Sequence, residues 1–209
     1  PASCFRPLTP DVDRGSLRTR LTGTDEPYFL FAGKLSGRRN LPLLIEAFAE
    51  FRRRFNHPHR LVMVGPDAAM QKVRDMADSM KISSHVVTRT FVPDAELNEL
   101  YNCAEAFVMP SAYETVSFPI MEAQATATPV ICIDTPGARE MTGAEALLIP
   151  RLNVDEVASA MARLASDPEL RARLAERGRE NSRRFSWEKC ASETLAICRE
   201  AADSARPTS

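Results

Sequence analysis

Four charged residues stand in short segments that are otherwise apolar, small or rich in glycine. Glu114 and Glu122 belong to the stretch YETVSFPIME, in which seven almost entirely apolar or small residues separate them. Lys34 directly follows Gly33, and Arg39 comes five residues later. Carboxylates can accept hydrogen bonds from the hydroxyl groups of a polyol. Cations beside the start of a helix favour a phosphate, because the free amides and the helix dipole attract negative charge there.

The same residues also allow a purely structural interpretation. Arg38 and Arg39 are then solvated loop charges. Glu122 is then a carboxylate near a helix start, because Pro119 suits the first turn, and its position contributes about 0.3–1 kcal/mol. Residue types and spacing alone leave both interpretations open. Neither a GxxxxGK[ST] nor a GxGxxG motif is present, which argues against a P-loop and against nicotinamide or flavin chemistry.

The elements that must position these residues alternate between strands and helices. Apolar runs predict strands at 28–33, 59–66, 85–92, 105–111, 129–134 and 145–150, and helical periodicity predicts helices at 40–55, 68–81, 93–104, 118–127, 137–142, 153–167 and most of 168–203. Continuously apolar strands that alternate with helices predict an α/β fold: a doubly wound, Rossmann-like parallel sheet. Ligands bind at the carboxyl ends of the strands in such sheets, where Lys34, Arg39 and Glu114 stand.

The chain divides into three segments by composition. Residues 1–27 contain four prolines and one short helical pattern, so we predict an entry segment and interdomain linker. Residues 28–185 hold the alternating pattern and predict the Rossmann-like domain. Residues 186–209 predict a C-terminal helix and tail.

Charge and cysteine usage exclude several classes of function. Lys and Arg number 27 against 28 Asp and Glu, for a net charge of -1, so we expect no nucleic-acid partner. Arg outnumbers Lys, as is typical of a GC-rich bacterial genome. Five cysteines without CxxC spacing predict free thiols in a reducing compartment. We therefore expect a cytoplasmic location, with the inner membrane face as the alternative for the full-length protein.

No metal site is expected. His57 and His59 are separated by Pro58 and have no partner cluster in the sequence, which predicts a solvent loop. His85 precedes a strand and has no visible partner either.

The ordered pattern from Tyr28 to Glu200 resembles a known family. The resemblance is carried by the stretches FAGKLSGRRNLPLLIEAF, LVMVGPD, LNELYNCAEAFVMPSAYETVSFPIMEAQATATPVICIDTPGARE and FSWEKCASETL. They are similar to the C-terminal, donor-binding half of the group 1 retaining glycosyltransferases, family 4 of the carbohydrate-active classification, which have the two-domain GT-B fold. Glu114 and Glu122 fit the E-x7-E signature of that family.

The resemblance implies three catalytic residues. Lys34 and Arg39 would neutralise the diphosphate of a nucleotide sugar and stabilise it as leaving group. They stand where the family usually has Arg and Lys respectively, which keeps the charge and changes the geometry. Glu114 would accept hydrogen bonds from hydroxyls of the donor sugar.

The resemblance also implies a set of binding residues. Glu122 would bind the ribose hydroxyls, and Gly33 would allow close backbone approach. The amides after Glu114 would contact sugar or phosphate, and the nucleobase would lie along the end of the third strand. The further binding residues are Arg89, Phe91, Val116, Ser117 and Phe118. Many members have Gly-Phe-Gly where this chain has Thr115-Val116-Ser117, and valine in place of phenylalanine changes the wall of the implied sugar pocket.

The function implied is that of a donor domain in a retaining hexosyltransferase. It would bind a nucleotide-diphosphate sugar such as a UDP or GDP sugar, with no metal and no cofactor, because the cation pair supplies the charge and no Asp-x-Asp lies between the strands. The acceptor, a glycan or a lipid-linked molecule, would be bound by the protein's own N-terminal domain, which these residues do not include. We therefore expect the chain alone to bind donor without efficient transfer. The alternatives are a noncatalytic nucleotide-binding module and a GT-B-fold epimerase-like enzyme.

Overall fold

A computed structural model describes residues 4–34 and 37–204, with the backbone alone at Ala68, Ala69 and Asp203. The strands are β1 (Tyr28–Ala32), β2 (Arg60–Val64), β3 (Val86–Arg89), β4 (Ala106–Met109), β5 (Val130–Ile133) and β6 (Leu147–Ile149). The helices are α1 (Arg14–Thr22), α2 (Leu41–Phe55), α3 (Asp67–Ser79), α4 (Asp94–Cys103), α5 (Phe118–Ala125), α6 (Pro136–Thr142), α7 (Val154–Ser166), α8 (Pro168–Ser182) and α9 (Trp187–Ser204). Short 3-10 turns cover Gly37–Arg39 and Ser83–His85.

The strands form one parallel sheet in the order β3-β2-β1-β4-β5-β6. At its centre, Leu30 of β1 stands opposite Val62 of β2 and Phe107 of β4. Each strand lies within a predicted apolar run, so the predicted doubly wound, Rossmann-like α/β fold is confirmed.

Helices cover both faces of the sheet. The helix α2 packs against α3 and α7, whereas α5 packs against α4, α6 and α8. All five residues of β1, from Tyr28 to Ala32, are buried. This two-sided cover explains why the strands read as continuous apolar runs in the sequence.

The strand order reverses between β1 and β4. From β1 the chain proceeds outward through β2 and β3, and it returns to β4 on the other side before continuing to β5 and β6. The loops that leave neighbouring strands in opposite directions open a crevice at their carboxyl ends. Two hydrogen bonds join these loops: Ala112 N–H donates to the Arg38 carbonyl (2.9 Å), and Asn40 Nδ2 donates to the Pro110 carbonyl (3.0 Å).

The predicted linker packs against α4 in its described part. Phe5 and Leu21 are buried in the hydrophobic core. Asn102 of α4 receives a hydrogen bond from Leu8 N–H at its Oδ1 (2.8 Å) and donates from Nδ2 to the Arg6 carbonyl (3.0 Å). The proline-rich segment therefore has fixed backbone partners, because the amide side chain supplies both a donor and an acceptor. Its first three residues lie outside the described residues.

The C-terminal helix stands apart from the sheet. After α8 ends at Ser182, α9 begins at Trp187, close to the predicted segment boundary. Its side chains are exposed wherever the structure describes them. None of the described helices is long and apolar enough to cross a membrane. The last five residues of the predicted tail lie outside the described part of the chain.

We expect Asn102→Ala to lower the free energy of unfolding by about 1–3 kcal/mol, because it leaves backbone groups of Arg6 and Leu8 without partners in a partly buried site. Urea unfolding of both chains measures the difference. The matched control is Gln71→Ala, whose amide contacts only exposed side chains and should cost at most about 0.5 kcal/mol. Equal losses in the two variants would contradict the assigned role of Asn102.

Candidate functional site

Glu114 is the centre of a hydrogen-bonded cluster between the loops that follow β1 and β4. Its side chain is only 5% exposed. Its Oε1 accepts hydrogen bonds from Ser111 Oγ (3.0 Å) and from Arg39 Nε (3.3 Å), and its Oε2 accepts one from Arg38 Nη2 (3.1 Å). A buried carboxylate needs such donors, because its desolvation is costly without them.

Arg39 is fixed by its own loop as well as by Glu114. Its Nη1 donates to the Lys34 carbonyl (3.0 Å). A Cβ at Gly33 would lie 2.0 Å from that Nη1 atom, and the backbone there has φ +141°. The absence of a side chain at Gly33 therefore makes room for the guanidinium. Arg39 is buried, so the interpretation of this residue as a solvated loop charge is wrong.

Arg38 and Lys34 present their charges to solvent. The Arg38 side chain is 41% exposed and lies 5.6 Å from the centre of the Tyr113 ring. Lys34 is exposed and has no carboxylate partner within the described residues. Together with Arg39 they give the loop after β1 three cations, two of which contact Glu114, so this edge of the sheet is suited to an anion.

The start of α6 packs against the backbone of Glu114. A Cβ at Gly137 would lie 2.3 Å from the Glu114 carbonyl oxygen, so a larger residue would push the loop away. The side chain of Thr135 caps α6 by accepting a hydrogen bond from Ala138 N–H (3.1 Å). The close packing at Gly137 therefore limits where the Glu114 backbone can lie, independently of the charged partners of the Glu114 side chain.

Glu122 lies within the first turns of α5 and has a single side-chain partner among the described residues. Tyr101 Oη, on fully buried Tyr101, donates to Glu122 Oε2 (3.1 Å). Burial raises the pKa of Glu122, and the hydrogen bond from Tyr101 partly offsets that rise. Burial also raises the pKa of Tyr101 well above its usual value, so this hydroxyl acts as a donor.

The segment between the two glutamates divides into exposed and buried parts. Val116 and Phe118 are exposed, at 56% and 44%. Ser117 is buried, and its backbone N–H donates to Met141 Sδ (2.9 Å). Of the amides predicted to contact a ligand, that of Ser117 is therefore already used within the chain. Phe118 lies at the start of α5, where backbone N–H groups have no partner within the helix.

At the end of β3, a predicted binding residue is hydrogen-bonded within its own chain. The Arg89 guanidinium donates to the Leu21 carbonyl (2.9 Å) and to Glu96 Oε1 (2.5 Å), and the Arg89 carbonyl accepts from Gly65 N–H (3.0 Å). Its polar groups are thus engaged by its own chain. Phe91 is 84% exposed and leaves an aromatic surface at this end of the strand.

Four contributing residues were not among the predicted site residues: Arg38, Tyr101, Ser111 and Gly137. Ser111 stands at the end of β4 and was detectable by that position. Arg38 was visible as the loop arginine next to Arg39. Tyr101 and Gly137 had no signal of their own, because their roles arise from contacts between segments far apart in the chain. The structure places the predicted Gly33, Lys34, Arg39 and Glu114 together.

The arrangement can bind an anion and hydroxyl groups side by side. Cations lie beyond β1, and carboxylates lie on the β4 loop and on α5. No group of three or more His, Cys, Asp or Glu side chains suited to a metal ion occurs in residues 4–34 and 37–204.

Comparison with known proteins identifies relatives across most of the chain. The family model described as glycosyl transferases group 1 matches residues 16–181. A D-inositol 3-phosphate glycosyltransferase of Saccharomonospora viridis is 30% identical over 98% of this chain and 49% of the relative. An alpha-D-kanosaminyltransferase of Streptomyces kanamyceticus is 27% identical over 82% of this chain and 45% of the relative. The chain thus spans about half the length of the curated relatives it matches.

Among solved structures, sucrose-phosphate synthase from Thermosynechococcus elongatus has the same fold. It superposes with a TM-score of 0.79 at 25% identity, covering 97% of this chain and 51% of the synthase. The HepE protein of Anabaena, crystallised with UDP and glucose, reaches the same TM-score at 20% identity over 92% of this chain and 54% of HepE. The latter likeness concerns the fold.

We expect Gly33→Ala to lower the free energy of unfolding by about 1–3 kcal/mol, because the new Cβ clashes with Arg39 and the backbone conformation is strained. Urea unfolding measures the change. Gly37→Ala is the matched control in the same loop, where an added Cβ meets nothing within 4 Å and the backbone is not in the strained region. A cost at Gly37 as large as at Gly33 would show that the loop, not the guanidinium, sets the requirement.

We expect Glu122→Gln to stabilise the protein at pH 7. Burial raises the pKa of Glu122 in the folded state, so the ionised carboxylate costs stability above the folded pKa, and that cost is absent below the unfolded value. The amide keeps an oxygen for Tyr101 and carries no charge. Urea unfolding at pH 7 and at pH 4 should show a gain at pH 7 that shrinks in acid. A gain equal at both pH values would contradict the assigned cause.

Proposed function

The chain belongs to the group 1 glycosyl transferases, and on that premise we propose that it is a domain that binds a nucleotide-diphosphate sugar as donor. The observation that carries the proposal is the pairing of cations after β1 with Glu114 after β4, across the point where the strand order reverses. A nucleotide sugar joins an anionic diphosphate to a polyol. This crevice offers cations for the diphosphate and a carboxylate for the hydroxyl groups of the polyol.

Lys34 and Arg39 would bind the diphosphate. Lys34 is exposed and free to turn toward a ligand, whereas Arg39 is preorganised by Gly33 and Glu114. Cations held in position stabilise the negative charge that develops on a leaving diphosphate without a reorganisation cost during reaction. The free amides at the start of α5 would add to this stabilisation.

Glu114 and Glu122 would bind hydroxyl groups. Glu114 stands beside the cations, so it would contact the donor sugar, and Glu122 would contact the ribose. Phe91 offers an exposed ring near the end of β3 for the nucleobase. The names of the kanosaminyltransferase and of the D-inositol 3-phosphate glycosyltransferase support a glycosyl donor for this chain, and we propose that the sugar is a hexose.

We infer that transfer retains the anomeric configuration, as the family resemblance implies. We also infer that transfer needs no metal, since the side-chain cations supply positive charge for the diphosphate. The acceptor would be a glycan or a lipid-linked molecule. The five cysteines are all free, which supports action in the reducing cytoplasm.

A second domain would complete the enzyme. The curated relatives are about twice as long as the matched region, and α9 exposes Leu195 and Ile197. Trp187, the first residue of α9, stacks on Phe118 with ring centroids 5.8 Å apart. We infer that this exposed apolar surface faces the N-terminal acceptor domain, and that the 209-residue chain alone binds donor without efficient transfer.

A noncatalytic nucleotide-binding module is the second candidate. The observation that favours it is the engagement of Glu114 by three intrachain donors. An epimerase-like enzyme of the same fold would bind the same ligand. Transfer by the full-length protein, measured as glycosylated acceptor, distinguishes a transferase from both alternatives.

We expect Lys34→Ala and Arg39→Ala each to weaken binding of a nucleoside diphosphate by about 10- to 100-fold, because each removes a charge-assisted contact of about 1.5–3 kcal/mol. Isothermal titration with UDP, GDP and ADP measures the affinities, and the nucleotide that binds most tightly identifies the base. Arg53→Ala is the control, since Arg53 pairs with Glu50 on the exposed face of α2. Binding that is unchanged in both site variants would refute the diphosphate assignment.

A further inference from the structure

Arg38 contacts the carboxylate proposed to bind the donor sugar, and it does so from the solvent side. Its Nη2 lies 3.1 Å from Glu114 Oε2, and its guanidinium lies over the Tyr113 ring, which is itself 61% exposed. Arg38 is thus the most exposed of the three side chains that donate to Glu114.

The hydrogen-bonding capacity of Glu114 limits what it can accept. An ionised carboxylate has about four acceptor positions, two on each oxygen. Both positions on Oε1 are used by Arg39 and Ser111, and one on Oε2 is used by Arg38. One position therefore remains, on Oε2. A single sugar hydroxyl can use it beside Arg38, whereas two neighbouring hydroxyls must displace Arg38.

Arg38 is the donor that a ligand can displace. Arg39 is 11% exposed, contacts the Lys34 carbonyl and fills the space beside Gly33. The Arg38 guanidinium has no such enclosure, and an ion pair with one exposed partner contributes little to stability. The displaced guanidinium stays within reach of an anion in the same crevice, because the Arg38 carbonyl remains hydrogen-bonded to Ala112 N–H.

We propose that Arg38 is a specificity-determining residue that competes with the hydroxyls of the donor sugar for Glu114 Oε2. This inference rests on the proposed function. For a sugar that presents two neighbouring hydroxyls to Glu114, the competition lowers the affinity for the nucleotide-diphosphate sugar relative to the bare nucleoside diphosphate, because both hydroxyls bind only when Arg38 leaves Oε2. A sugar that presents a single hydroxyl uses the remaining position on Oε2 and escapes this cost, so Arg38 disfavours the two-hydroxyl sugars.

The test measures the ratio of the affinity for the nucleotide sugar to that for the matching nucleoside diphosphate. The pairs are UDP-glucose with UDP, GDP-mannose with GDP and ADP-glucose with ADP, titrated into the 209-residue chain. We expect Arg38→Ala to raise the ratio by about two- to fivefold, the range for loss of a partly exposed ion pair. The ratio alone does not remove the general effect of a lost positive charge, because a nucleoside diphosphate carries about one more negative charge than its sugar ester, so a second background is needed to separate the two causes. Arg53→Ala should leave the ratio unchanged.

A second variant background removes the carboxylate that accepts the hydrogen bond from Arg38. In the Glu114→Gln background, Arg38→Ala should raise the ratio by less than in the unsubstituted background, because the competition requires the carboxylate whereas the general charge effect does not. A ratio that falls or stays constant in Arg38→Ala overturns the inference, and so does an equal rise in the Glu114→Gln background. These outcomes leave the proposed function intact. Failure of the unsubstituted chain to bind any of the six ligands overturns the proposed function, and the inference with it.

Discussion

The Glu114 carboxylate joins the two loops on which the candidate site depends. One loop leaves β1 and the other leaves β4, and in a doubly wound sheet these neighbouring strands send their connections in opposite directions. Hydrogen bonds from Ala112 N–H to the Arg38 carbonyl and from Asn40 Nδ2 to the Pro110 carbonyl join the same two loops through their backbones. Arg38, Arg39 and Ser111 all donate to Glu114, and Gly137 lets α6 pack against its backbone. The positions of the Arg38 and Arg39 guanidinium groups therefore depend in part on one carboxylate.

This pairing contributes more to geometry than to stability. Burying an ion pair costs desolvation that its attraction only partly returns, so an apolar contact of similar size would hold the loops at least as well. A guanidinium fixed beforehand, however, loses little conformational entropy when it binds an anion. The Arg39 guanidinium is fixed before a ligand binds, whereas the side chains of Lys34 and Arg38 remain exposed. The site thus combines one rigid cation with two that can adjust to a ligand.

The sequence predicted the sheet and the placement of Lys34, Arg39 and Glu114 at strand ends through local pattern alone. Apolar runs and helical periodicity are local properties, so the strands and helices followed from them. Contacts between distant segments did not follow. Nothing near Ser117 indicates that Met141, 24 residues later, accepts its amide hydrogen. Likewise, the prolines of the first segment predicted a linker, but Asn102 supplies partners for its backbone.

Glu122 shows why the edge of the sheet is better explained by a ligand than by folding. Its carboxylate is largely enclosed, burial raises its pKa, and a single tyrosine hydroxyl donates to it. Folding alone gains nothing from a charge in that position, since a glutamine would keep the hydrogen bond and avoid the cost of ionisation. A ribose would supply hydroxyl donors to that carboxylate and recover part of the cost on binding. Glu114 differs, because Arg38, Arg39 and Ser111 donate to it within the chain, so Glu122 is the carboxylate at this edge whose enclosure a bound polyol would best explain.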